Sequence, residues 1–84
     1  MTLIGIGFNN MVNADRIIAV VSPESNPVKR LIATGKESKM LIDATQGRKT
    51  KSVILMDSDH IVLSYLDVES IHAKIIQEDS NEKR

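Results

Sequence analysis

The sequence predicts an α+β fold: a small, mostly antiparallel sheet of about five strands with two short helices. Three observations lead there. Five separate runs are apolar and rich in β-branched residues, two segments carry apolar residues at helical spacing, and turn formers punctuate the chain between them. Eighty-four residues leave room for one domain and no more.

The elements follow in chain order. Leu3, Ile4, Ile6 and Phe8 form a first strand, Phe8 reading as core, with Gly5 and Gly7 marking a bulge or a close backbone approach. Asn9-Asn10 is a turn signal. Ile17 to Val21 is a second strand, ended by Ser22-Pro23. A helix starts at Ser25-Asn26-Pro27, with Asn26 as N-cap and Pro27 where its missing N–H is harmless. Val28, Leu31 and Ile32 share one face of it, and Gly35 weakens or ends it. Met40-Leu41-Ile42 opens a third strand, Thr45 to Lys49 turns, and Ser52 to Met56 returns as the fourth. Asp57-Ser58-Asp59 is a tight reversal into a fifth strand, His60 to Leu66. Asp67 caps a closing helix whose Val68, Ile71, Ile75 and Ile76 lie on one face.

The strands do not alternate. Ile17 to Val21, Val53 to Met56 and Ile61 to Leu63 are apolar throughout, whereas a strand with one wet face alternates apolar and polar residues. Both faces of the sheet therefore need cover. Two short helices cover about one face, so a second copy of the chain is the economical cover for the other. A sheet that curls around its own core is the competing explanation.

Size points the same way. A chain this short buries only about two-thirds of the surface its unfolded state exposes. Small domains compensate with disulfides, metals or partner subunits. There is no cysteine, and His60 and His72 are the only imidazoles. Self-association is what remains. The missing cysteines also suit a reducing cytoplasm. We expect no signal peptide, because the short apolar start carries no basic residue and breaks at Asn9-Asn10. No stretch reaches the roughly 18 apolar residues of a membrane span. A cytoplasmic protein without membrane attachment is expected.

Catalytic and metal chemistry find little support. Asp57-Ser58-Asp59-His60 clusters two carboxylates and an imidazole, but successive strand positions point to opposite faces and these residue types suit a plain turn. Gly47-Arg48-Lys49-Thr50 resembles the end of a phosphate loop, yet Ile42 stands where that motif needs glycine and a strand follows where it needs a helix. Gly5-x-Gly7 lacks a third glycine and a following helix. We therefore expect no enzyme, no cofactor, no metal and no small-molecule substrate.

The charges are more informative. The chain is formally neutral. Between Arg16 and Lys51, however, eight basic residues face three acidic ones, and the remainder holds three basic against eight acidic. A neutral total can thus hide one basic face and one acidic face. Gly47-Arg48-Lys49-Thr50-Lys51 places three cations at an exposed turn, where guanidinium, ammonium, hydroxyl and free N–H groups suit phosphate oxygens. Arg16, just before a strand, is a candidate to join them. A solvated charge cluster would have the same composition. Phe8 and Tyr65 are the only aromatics, too few for a single-strand stacking platform, so duplex DNA is the better fit.

Five segments then carry a resemblance: Asn13 to Arg16, Val21-Ser22-Pro23-Glu24-Ser25-Asn26-Pro27-Val28-Lys29-Arg30, Met40 to Thr45, Gly47 to Thr50, and Met56 to His60. In this order they closely resemble the RemA family of bacterial extracellular-matrix (biofilm) regulators, over about residues 1 to 75. The resemblance implies a DNA-binding activator of matrix and osmoprotection genes that forms closed homo-oligomeric rings able to wrap duplex promoter DNA. One such domain is expected over 1–77; from Glu78 onward the chain is charged or polar, and we expect this tail, 78–84, to fray. The family's DNA-contacting arginines fall on Arg16 and Arg48. Lys49 stands where the family has another arginine, keeping the charge but losing the bidentate fork. Gln46 stands where an aromatic is often found. Arg16, Arg48, Lys49 and Lys51 are the expected DNA-binding residues. A ring that binds a protein partner, as a non-catalytic scaffold, is the alternative.

Overall fold

A computed structural model describes the backbone of residues 1–82 and the side chains of residues 1–77. The polar tail expected from residue 78 lies outside the described side chains, and residues 83 and 84 lie outside the described backbone. In chain order the elements are β1 (Leu3–Gly7), β2 (Asn10–Asn13), a 3-10 turn (Ala14–Arg16), β3 (Ile17–Val21), α1 (Asn26–Glu37), β4 (Leu41–Asp43), β5 (Ser52–Met56), β6 (Ile61–Ser64) and α2 (Val68–Glu82). Among the described residues the fold is α+β, with six strands rather than five. β1 and β2 form an antiparallel ribbon, and the other four form a mixed sheet in the order β3-β5-β6-β4.

β2 escaped the sequence pattern because it needs so little apolar character. In a two-stranded ribbon only alternate residues face inward. Val12 is buried while Met11 faces out, and the flanking asparagines disguise the strand as a turn. The ribbon's register slips between Gly5 and Gly7, which locates the bulge that the two glycines signal.

The larger departure concerns β4. It pairs with β6, in parallel, and β6 separates it from β5. The hairpin expected between residues 40 and 56 is not formed. The Asp57–Asp59 reversal is formed as expected and pairs β5 with β6, closed by Met56 N–H to His60 O at 3.0 Å and Asp59 N–H to Met56 O at 3.1 Å. Residues 44–51 form a crossing loop from the sheet edge, over the end of β6, back to β5.

Two cores explain the continuous apolar strands. On one sheet face Val53, Ile61 and Leu63 pack with Val28 of α1. On the other, Ile54 and Val62 pack with Ile4, Ile6 and Val12 of the ribbon and with Ile71 of α2. The helices lie on opposite faces, and the ribbon completes the second layer. The expectation that the helices cover about one face and something else the other is corrected: each helix covers part of a different face, and the ribbon of the same chain supplies the rest of the second. Each buried Val or Ile stabilises the fold by roughly 1.5–3 kcal/mol.

Local chemistry sets the helix ends. Ser25, one residue earlier than expected, caps α1, its hydroxyl accepting from Val28 N–H at 3.4 Å, and Pro27 occupies the first turn. Gly35 does not end α1. It is where the helix meets the sheet: a Cβ there would lie 2.9 Å from Ile61 Cδ1. Asp67 caps α2 as expected, accepting from Ser70 N–H at 2.8 Å. Among the described residues no helix is long and apolar enough to cross a membrane.

Candidate nucleic-acid interface

The basic loop is held by backbone hydrogen bonds and by the Asp43 carboxylate, and its cations point to solvent. Ala44 N–H donates to Leu63 O at 3.0 Å, which fixes the loop to β6 as it starts. Asp43 Oδ1 then accepts from Thr45 N–H at 2.9 Å and from the Thr45 hydroxyl at 2.6 Å. These bonds hold the Asp43 carboxyl below the usual carboxylate range, the hydroxyl contributing most. Gln46 (φ 54°) and Gly47 (φ 81°) are both left-handed, and Arg48 N–H closes the turn on Thr45 O at 3.0 Å. Two consecutive positive φ values define a type I′ turn, which explains the glycine. Finally Lys51 N–H donates to Ser64 O at 2.9 Å.

Arg48, Lys49 and Lys51 are exposed, and with Tyr65 they wall a shallow pocket of about 340 Å³. Among the described residues neither Arg48 nor Lys49 has an ion-pair partner. Lys51 acts at longer range on Asp67, whose carboxyl is lowered mainly by the Ser70 N–H. Arg48 and Lys49, without an ion-pair partner among the described residues and carried on a hydrogen-bonded backbone turn, suit an external anion, because the turn needs little further ordering on binding.

Ser64 ties this end of the molecule together. Fully buried, it donates its hydroxyl proton to Ile6 O at 2.9 Å and accepts from Leu66 N–H at 3.1 Å, while its carbonyl takes Lys51 N–H. The ribbon tip, Tyr65 and the basic loop are thereby held at one edge.

Arg16 lies elsewhere. It ends the 3-10 turn that Asn13 caps, its carbonyl accepting Asp57 N–H at 2.9 Å. Its Nη1 donates to Asp57 Oδ2 at 3.0 Å, which keeps the guanidinium firmly charged. Asp57 follows one end of β5 and Lys51 precedes the other. At a rise of about 3.4 Å per residue, Arg16 is roughly 20 Å from the loop along the strand. Arg48, Lys49 and Lys51 are brought together within one chain; Arg16 is not with them.

Phe8 is also displaced from its expected role. It is not core: it stands 42% exposed at the ribbon tip, its ring 4.8 Å from that of Tyr65. Sequence reasoning missed Tyr65 as a wall of the pocket, since nothing local links it to the loop. At the opposite end, Ser58 Oγ lies 2.7 Å from His60 Nδ1 in the exposed reversal. Among the described residues no group of three or more His, Asp or Glu side chains is placed to hold a metal.

Comparison with known proteins adds the family context. The model of the RemA-like family, extracellular matrix regulatory protein A-like, matches residues 3–75. A relative from Finegoldia magna is 52% identical over 82 residues, covering 98% of this chain and 99% of its own. One from Halothermothrix orenii is 52% identical over 81 residues, covering 96% of each chain. One from Desulforamulus reducens is 50% identical over 78 residues, covering 93% of this chain and 87% of its own. All three bear the name "Putative regulatory protein".

Proposed function

The chain belongs to the RemA-like family of extracellular matrix regulatory proteins, and we propose that it regulates transcription in the cytoplasm by binding duplex DNA as a homo-oligomeric ring. The observation that carries this reading is the Arg48–Lys51 loop, a backbone-hydrogen-bonded turn whose Arg48 and Lys49 have no ion-pair partner among the described residues. The genes are those the family implies, for biofilm matrix and osmoprotection.

The mechanism is repetition. One loop offers three cations and binds weakly; a ring offers the set many times, and linked contacts gain through effective concentration. Arg48 is suited to bidentate phosphate contact, Lys49 and Lys51 to point-charge contact. Arg16, about 20 Å away along the strand, reaches a different stretch of the backbone and shares its charge with Asp57. Self-association is favoured by the edge strand β3, where Ile18 is 67% exposed above a groove that Leu31, Met40 and Leu55 help to line.

A gel-shift titration against matrix-gene promoter fragments, repeated over a range of salt, tests the reading. Each phosphate neutralised contributes about −0.9 to the slope of log K against log salt. Arg48→Ala removes one contact per subunit along the DNA and should lower both affinity and slope while the oligomer persists. Unchanged affinity and slope in an intact oligomer would leave the loop a solvated turn and favour a protein-binding scaffold.

A further inference from the structure

We infer that Phe8 is a wedge that stacks on an unstacked base of the DNA whose phosphates the Arg48–Lys51 loop holds. The inference rests on reading that loop as a DNA contact and adds a residue outside it.

Phe8 occupies a costly position. Phe8 (φ 53°) and Asn9 (φ 64°) are the two central residues of the ribbon turn, and both are left-handed. Such turns take Asn, Asp or Gly, and Asn9 conforms. A bulky aromatic at positive φ is an outlier, and here its ring is driven outward rather than into a core. Tyr65 braces it. The tyrosine ring lies directly against Gly7, where a Cβ would come within 2.2 Å of Cε1, and meets the Phe8 ring at a tilt of 42°. The other exposure of the same tyrosine is to the cationic pocket of Arg48, Lys49 and Lys51. A braced, half-exposed ring and a set of phosphate-seeking cations therefore share one residue.

That combination is complementary to a nucleotide: an aromatic face for the base and cations for the phosphate. In a duplex the base must first leave its stack, and apolar side chains inserted between base steps do this at easily deformed steps. Repeated around an oligomer, such wedges would bend the DNA along the path of the loops and select sequences that kink.

The test uses the full chain and two duplexes at one salt concentration, one fully paired and one carrying a single unpaired adenine, which needs no unpairing and is more easily unstacked. The chain should bind the second about tenfold more tightly, the scale of one base stacked on an aromatic ring. Phe8→Asn removes the ring yet suits the turn, so its thermal stability should hold or rise. It should lose the preference and keep the salt slope. Phe8→Tyr should retain the preference. Equal affinity of the unsubstituted chain for both duplexes, or a Phe8→Asn variant that keeps the preference, would overturn the wedge and leave the loop's role standing. Failure to bind either duplex would remove the DNA reading itself.

Discussion

Gly7 shows how much one residue can decide. Its φ of 106° is open to glycine and strained for any other residue, and the Tyr65 ring fills the space a Cβ would need. Gly7→Ala is therefore predicted to destabilise the fold by about 2–4 kcal/mol, backbone strain and overpacking each contributing. Urea unfolding measures this. In a Tyr65→Ala background the clash is gone and only the strain remains, so the same substitution should cost visibly less. Equal costs in both backgrounds would show that the ring contact is unimportant. The sequence flagged Gly7 as a bulge or close-approach glycine; it held no sign of which side chain approaches.

At the scale of an element, the loop between β4 and β5 depends on Asp43. Thr45 is buried and gives both its N–H and its hydroxyl to that carboxylate. Asp43→Ala leaves the hydroxyl without its acceptor, at about 1 kcal/mol, the solvent-facing charge adding little. The pH dependence follows from the lowered carboxyl. A group more acidic in the folded state stabilises fully above its unfolded value of about 3.9. That contribution is lost as pH falls through the lower folded value. The stability gap between wild type and Asp43→Ala should thus be constant near neutrality and close in strong acid. A gap that widens in acid would contradict the assignment. The loop's residue types and glycine were legible from sequence. Its role as a crossing was not, because β4 is only three residues long and nothing local tells it which strand to join.

For the whole molecule the question is what the chain leaves uncovered. α1, α2 and the ribbon between them shield both sheet faces, so continuous apolar strands no longer demand a second copy. The β3 edge still exposes Ile18, the extra residue at a register shift between Ile17 and Ala19. Light scattering at micromolar concentration should give a mass at least twice the 9.3 kDa of one chain. Ile18→Lys should reduce that mass without unfolding the chain, since a charge on an edge strand blocks association rather than folding. A monomeric wild type would remove the multivalent mechanism.

By itself the sequence determined what depends on neighbours along the chain. β-branched runs made five of the six strands, Asp67 and the Ser25-Pro27 start made the helix caps, and glycine with three cations made the loop. Each follows from backbone sterics or from a hydrogen bond spanning a few residues. Tertiary structure alone decided what depends on partners far apart: β4 beside β6, the helices on opposite faces, Arg16 at the far end of β5 from the loop, and Phe8 braced by Tyr65. The physical reason is that backbone hydrogen bonds pair strands without regard to their side chains. Apolar periodicity reports which way a residue faces, never what it will face.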